Sequence, residues 1–278
     1  MRLLVYGGKG WIGSQFLEYL STLEVSFYRG ESRCEDVSSV VREIEMIRPT
    51  HLVCLLGRTH KGQTWTIDDL ESDMDLNLRD NLFCPVLLAI LGMRYGLHTT
   101  YLGTGCIFNG YDRIYTEDDV PDFRGSGYSL VKGYTDRLMQ QLPVLNLRIR
   151  MPIIGRDHPR NMITKLKTYA RICSMPNSMT VLEDFFPVIW DMMQKEITGT
   201  FHCVNPDPIE HDEILRMYRE CVDPGFVWSN MTLEEQNQVL KSQRSNNHLD
   251  TAKITGLYPE IPDIRTSLRR LLTDYNRK

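Results

Sequence analysis

The sequence predicts a doubly wound α/β fold, a parallel sheet flanked by helices, with a smaller lobe built from its C-terminal part. Three observations predict it. The chain opens on an apolar run, Leu3-Leu4-Val5-Tyr6, which breaks into Gly7-Gly8-Lys9-Gly10-Trp11-Ile12-Gly13 and continues as an amphipathic stretch; that switch of periodicity reads as strand, glycine turn and helix. Short apolar runs then alternate with longer helical patterns, so strands in one sheet must be joined by right-handed crossovers. Finally, Tyr128 and Lys132 lie four positions apart behind Ser126, on one face of a helix that the serine caps.

Length and composition set the frame. At 278 residues the chain holds a large core with a lobe attached, divided here as residues 1–150 for the sheet domain and 151–278 for the lobe, some of whose segments return to the core. A formal charge of -4 with 42% hydrophobic residues gives no basic excess, and nucleic acid is not expected as a partner. The seven cysteines, at positions 34, 54, 84, 106, 173, 203 and 221, are scattered and lack metal-ligand spacing, which suits a reducing compartment. A strand pattern at the start and no run near the roughly 18 apolar residues of a span predict a cytoplasmic protein without membrane association.

Glycines at 7, 10 and 13 let the first turn tighten, let the backbone approach a pyrophosphate and let the helix pack against the strand, while the helix N-terminus offers its amides to phosphate. Gly7, Gly10, Trp11, Ile12 and Gly13 are therefore the expected dinucleotide-binding turn. The second strand, Val25 to Tyr28, leads into Arg29 and Arg33; arginine at this strand end suits a 2′-phosphate, so NADPH is the expected cofactor, with NADH left open. Asp36 is placed to cap a helix from Val37 to Arg48, ahead of Pro49. The third strand, His51 to Leu56, ends at Gly57-Arg58, on the adenosine side. A helical pattern from Asp73 to Tyr95 carries Asn77 and Asn81 one turn apart, and Pro85 is expected to kink or divide it. Thr99 to Gly103 forms the fourth strand and runs into Thr104-Gly105-Cys106, so Thr104 and Cys106 face the ligand crevice where Tyr128 arrives. A strand at Leu145–Ile149, a helix over 183–195, a strand at 201–204, and helices over 213–221, 233–240 and 264–275 complete the pattern. The apolar helices near 73–95 and from Gly127 predict a helix-paired homodimer.

Gly7-x-x-Gly10-x-x-Gly13, Thr104 and Tyr128-x-x-x-Lys132 together resemble the extended short-chain dehydrogenase/reductases, a Rossmann fold. Within them the chain is most similar to the bifunctional UDP-4-keto-6-deoxy-D-glucose 3,5-epimerase/4-reductases of UDP-L-rhamnose synthesis. The similarity spans nearly the whole chain. It is carried by Gly10-Trp11-Ile12-Gly13, Arg48-Pro49-Thr50-His51, Thr104-Gly105-Cys106-Ile107-Phe108, Arg150-Met151-Pro152-Ile153, Asn161-Met162-Ile163-Thr164-Lys165, the run from Pro176 to Leu182 and Arg244-Ser245-Asn246-Asn247-His248-Leu249-Asp250. Cys54-Leu55-Leu56-Gly57 departs from the pattern, where the family tends to have small residues.

The resemblance implies an enzyme with Thr104 and Tyr128 on the C4 oxygen of a ketosugar, Lys132 tuning Tyr128 and bridging to the cofactor ribose, and Cys106 and Lys165 as acid/base groups on opposite faces of the ring. Which of the two serves C3 and which C5 stays open. Asn161, Asn177, Arg244 and Asn247 are the implied ligands of the UDP-sugar, with arginine suited to a diphosphate and asparagine to uracil or ribose. The ketosugar comes from a separate 4,6-dehydratase. The competing readings are a reductase alone, acting on an already epimerised UDP- or dTDP-linked sugar, and a non-catalytic NADP-binding regulatory subunit.

Overall fold

The computed structural model describes residues 1–62 and 66–275. Six strands, β1 (Leu3–Tyr6), β2 (Phe27–Arg29), β3 (His51–Cys54), β4 (His98–Thr104), β6 (Val144–Ile149) and β8 (Gly199–His202), form one sheet in the order β2-β1-β3-β4-β6-β8. Every pairing in it is parallel, as crossover helices between successive strands require. Alternate residues of β1 feed opposite faces. Leu3 and Val5 join Phe16, Leu147 and Phe185 on one side, while Leu4 and Tyr6 join Val40, Leu88 and Tyr101 on the other. The order reverses beside β1, so the carboxyl ends of β1, β3 and β4 open onto one crevice.

Local chemistry accounts for several helix starts. Asp36 accepts the Ser39 amide at the head of the helix Val37–Ile47, and Ser126 accepts the Ser129 amide at the head of Gly127–Met139. The pattern at 73–95 is interrupted just before Pro85 by a change of helix type. It forms the turn Met74–Leu78, a widened π turn over Arg79–Phe83 and the helix Cys84–Arg94. Pro85 lacks an N–H and crowds the carbonyl four residues back; that carbonyl, on Asn81, instead accepts the Thr135 hydroxyl at 2.6 Å. Read as one helix, Met74–Arg94 has a mean hydropathy of 1.3 over its best window, contrary to the expectation that no segment reaches spanning length. Its Asn77, Asn81, Leu88 and Ala89 are buried in this fold, the mark of a helix with one face in a protein core.

After β6 the chain leaves for the lobe, returns with the helix Leu182–Gln194 and β8, and leaves again. The lobe has its own core of Ile153, Ile163, Met179, Leu215 and Leu268. It also uses short strands that the sequence pattern does not announce: β7 (Arg171–Cys173) pairs with β9 (Ser229–Met231), and β10 (Asn247–Leu249) pairs with β5 (Gly110–Tyr115), which follows β4. The last pairing ties the segment 247–249 to the loop beyond Thr104.

Candidate active site

The glycine turn is a cradle that a side chain would fill. Gly7 has φ +84°, and a Cβ there would stand 2.6 Å from the Leu55 carbonyl; a Cβ on Gly13 would stand 2.2 Å from the Gly7 oxygen. Gly10 donates to the Gly7 carbonyl at 2.9 Å, and the helix Trp11–Thr22 starts directly behind it with no side-chain cap. This arrangement suits a pyrophosphate on the first-turn amides. Ile12 packs on the sheet core, and the Trp11 indole stacks on His158, centroids 5.3 Å apart, where the connection to the lobe passes. Gly57 is not sterically obliged, since a Cβ would make only an ordinary 3.6 Å contact with Asn81.

Two asparagines and a glutamate shape the remainder of the cofactor crevice. Asn81 accepts the Arg58 amide at 2.8 Å and donates to the Arg58 carbonyl at 2.9 Å and to Asn77 at 2.8 Å. The Arg58 guanidinium lies on Asp80. The buried Glu43 carboxylate receives the Tyr6 hydroxyl and, at 2.8 Å, the Glu31 amide. Arg33 is exposed and pairs with Glu35 at 3.1 Å, so at the ribose end it sits in an ion pair rather than alone.

At the end of β4, Thr104 accepts the Cys106 amide at 3.1 Å and shares a hydrogen bond with the Tyr128 hydroxyl. Thr104, Cys106 and Tyr128 thus come together. Burial holds the Tyr128 phenol above its ordinary range, the neighbouring Cys106 adds to the rise, and the Thr104 hydrogen bond opposes it. This corrects the expectation that Lys132 lowers it. An i,i+4 spacing fixes only the shared helix face; the Lys132 chain runs to β4, donates to the Tyr101 hydroxyl and places its ammonium 4.7 Å from that ring's centroid. Burial lowers the Lys132 pKa to about 8, with Cys54, Asp136 and Cys106 opposing. Tyr101 is the residue that the sequence reading missed; its one signal is a phenol inside a buried strand, where a hydroxyl needs a partner.

Cys106 is a half-buried free thiol. Lys165, on the helix Met162–Thr168, is also half-buried, so neither group is lost to the interior or to open solvent. Burial lowers the Lys165 pKa, and Arg160 and Arg244 lower it further. The same basic group pushes His60 down to about 4, through burial and then Arg160, Arg58 and Lys165.

Three implied sugar ligands stand elsewhere. Asn161, Asn177 and Asn247 are each 0% exposed, and their amides are engaged within the protein. Asn161 donates to the carbonyls of Ile154 and Arg156 at 2.9 and 2.8 Å. Asn177 donates to Asn246 at 2.9 Å and accepts the Asn247 amide at 3.1 Å, and Asn247 grips the loop after β4. All three are braces, because a buried amide must satisfy its own groups first. Arg244 keeps surface in the crevice while pairing with Asp68 at 2.9 Å. Beside it an open cleft of about 640 Å³ runs between Phe123–Gly125, ahead of the Tyr128 helix, and Leu240–Gln243 of the lobe.

A doubly wound sheet, a glycine cradle at its first turn and Thr104, Tyr128 and Lys132 at the crevice define an extended short-chain dehydrogenase/reductase. Comparison with known proteins agrees. The chain is 46% identical to the L780 UDP-rhamnose synthase of Acanthamoeba polyphaga mimivirus, whose crystal structure superposes with a TM-score of 0.95 over 98% of this chain and 99% of that one. It is 36% identical to the bifunctional dTDP-4-dehydrorhamnose 3,5-epimerase/dTDP-4-dehydrorhamnose reductase of Arabidopsis thaliana, over 99% of this chain and 93% of the plant protein. The dTDP-4-dehydrorhamnose reductase of Bacillus anthracis, solved with NADP, shares the fold at 18% identity, with a TM-score of 0.84 over 98% and 99% of the two chains. No family model matches. The chain belongs to the family of these rhamnose-nucleotide epimerase/reductases.

Proposed function

We propose that the protein is a bifunctional 3,5-epimerase/4-reductase that converts UDP-4-keto-6-deoxy-D-glucose to UDP-L-rhamnose with NADPH. The observation that carries this reading is the meeting of Thr104, Cys106 and Tyr128 at the end of β4 in a chain of this family. A 4-ketone acidifies the hydrogens at C3 and C5, so each inversion needs a base on one face, an acid on the other and a donor to the enolate oxygen. Tyr128 keeps its proton at neutral pH, as a phenol ordinarily does and the more so because burial raises its pKa, which is the state a donor requires. Thr104 shares that oxygen. Cys106 serves one face of the ring, and Lys165, whose neutral amine is made more available by burial and by Arg160 and Arg244, serves the other. The glycine cradle would hold the pyrophosphate of a reduced nicotinamide dinucleotide, which would supply hydride for C4, and the phenol of Tyr128 would give its proton to the oxygen.

The test is incubation of the pure protein with that ketosugar and NADPH in heavy water, with the nucleotide sugar read by NMR. UDP-L-rhamnose deuterated at C3 and C5 is expected. Reduced product without deuterium points to a reductase alone, and unreacted ketosugar overturns the enzyme. The substrate then has to be supplied by a separate 4,6-dehydratase. We read the active form as a homodimer, supported by an exposed apolar stripe of Leu78, Phe83, Ile90 and Met93 on one helix and Leu138 on the next.

A further inference from the structure

We infer that Asn247, held in place by the buried Arg150, positions the loop carrying Cys106 and so governs the epimerising half of the reaction. The inference deepens the proposed function and rests on its assignment of Cys106. Asn247 donates to the carbonyls of Gly105 at 3.0 Å and of Phe108 at 2.8 Å, the two that bracket Cys106. Ser245 adds a hydrogen bond to the Phe108 carbonyl at 2.6 Å. Arg150 fixes the brace from behind, donating to the Asn247 side-chain oxygen at 2.6 Å and to the Ser245 carbonyl at 2.7 Å. The loop lies flush on it: a Cβ on Gly105 would meet Leu249 at 2.5 Å and Arg150 at 3.2 Å.

Stability does not explain this arrangement. Arg150 is 1% exposed, and among the described residues no carboxylate is within ion-pair distance of it. A buried cation without a counter-charge is costly, and the groups that meet this one are Asn247 and the Ser245 carbonyl of the brace. The backbones of Thr104 and Tyr128 are placed independently of it. Thr104 pairs with Ile149 in the sheet and Tyr128 rides on its own capped helix, whereas Cys106 lies beyond the ladder. Loss of the brace therefore separates epimerisation from reduction.

Asn247→Asp tests this. The substitution keeps the shape and gives Arg150 a carboxylate, so the fold is retained, but it turns an acceptor toward two carbonyl oxygens in place of a donor. Three quantities are read: deuterium entry at C3 and C5 of UDP-4-keto-6-deoxy-D-glucose, NADPH-dependent reduction of pre-epimerised UDP-4-keto-L-rhamnose, and the rate at which iodoacetamide alkylates Cys106, followed by peptide mass spectrometry. Deuterium entry is expected to fall about 100-fold, the cost of misplacing a reacting group by about 1 Å. Reduction falls less than about tenfold, and the alkylation rate changes. Equal losses in both halves, or wild-type deuterium entry with unchanged alkylation, overturn the inference. If Cys106→Ala retains deuterium entry, the reading of Cys106 fails; an altered alkylation rate in Asn247→Asp then still supports the positioning.

Discussion

Tyr128 and Lys132 are neighbours in sequence, yet their chemistry is set by different partners, Thr104 for the phenol and Tyr101 for the amine. Removing the phenolic hydroxyl by Tyr128→Phe is expected to lower the rate of C4 reduction by about 10²- to 10⁴-fold, the usual worth of a placed proton donor; stopped-flow measurement of NADPH oxidation checks it. Tyr101 accepts a hydrogen bond from the Lys132 amine. The groups facing that amine are Tyr101 and Cys54 from neighbouring strands, Cys106 from the loop after β4, and Asp136 from its own helix. Burial has already lowered its pKa to about 8, so its positive charge is present below that pH and lost above it. Tyr101→Phe deletes an acceptor of the charged form, lowers the value further, and should move the basic limb of the kcat/KM profile to lower pH. An unmoved limb would show that the hydrogen bond does not set the charge.

At the scale of single elements, the helix from Met74 to Arg94 does two tasks. Its π turn accommodates Pro85, and the same stretch presents Asn81 to both backbone groups of Arg58. Asn81→Leu would strand the buried side of that loop and should cost about 2–4 kcal/mol by urea denaturation, the range for several lost hydrogen bonds at a buried site, with weaker NADPH binding. The sequence made this helix legible by periodicity, and Asp36 and Ser126 announced two helix starts, because caps and turns act within a few residues. Gly7 and Gly13 were legible for the same reason. Strands β5, β7, β9 and β10 were not: three of them have only three residues, too short for a period, and their pairing is set by the lobe. Asn161, Asn177 and Asn247 looked like ligands because an amide that reads a sugar and an amide that braces a loop carry identical groups. Only burial separates the two roles, and burial comes from contacts far apart along the chain.

The whole molecule couples its two parts through the sheet edge and the loop after β4. The exposed apolar stripe across the helices at 74–94 and 127–139 is the surface expected to pair two copies. Ile90→Glu combined with Met93→Glu, both at exposed positions, should give a monomer by light scattering, while leaving the thermal midpoint of the isolated fold within a few degrees. Retention of a dimer would move the interface elsewhere. The pairing of β10 with β5 also has a consequence for how the enzyme is born. All six strands of the sheet precede Asn247 along the chain, so the brace on the Cys106 loop follows the sheet in synthesis. A nascent chain that stops short of Asn247 would leave the loop of Cys106 without its brace, so that loop should take its final shape only after the whole sheet has been made.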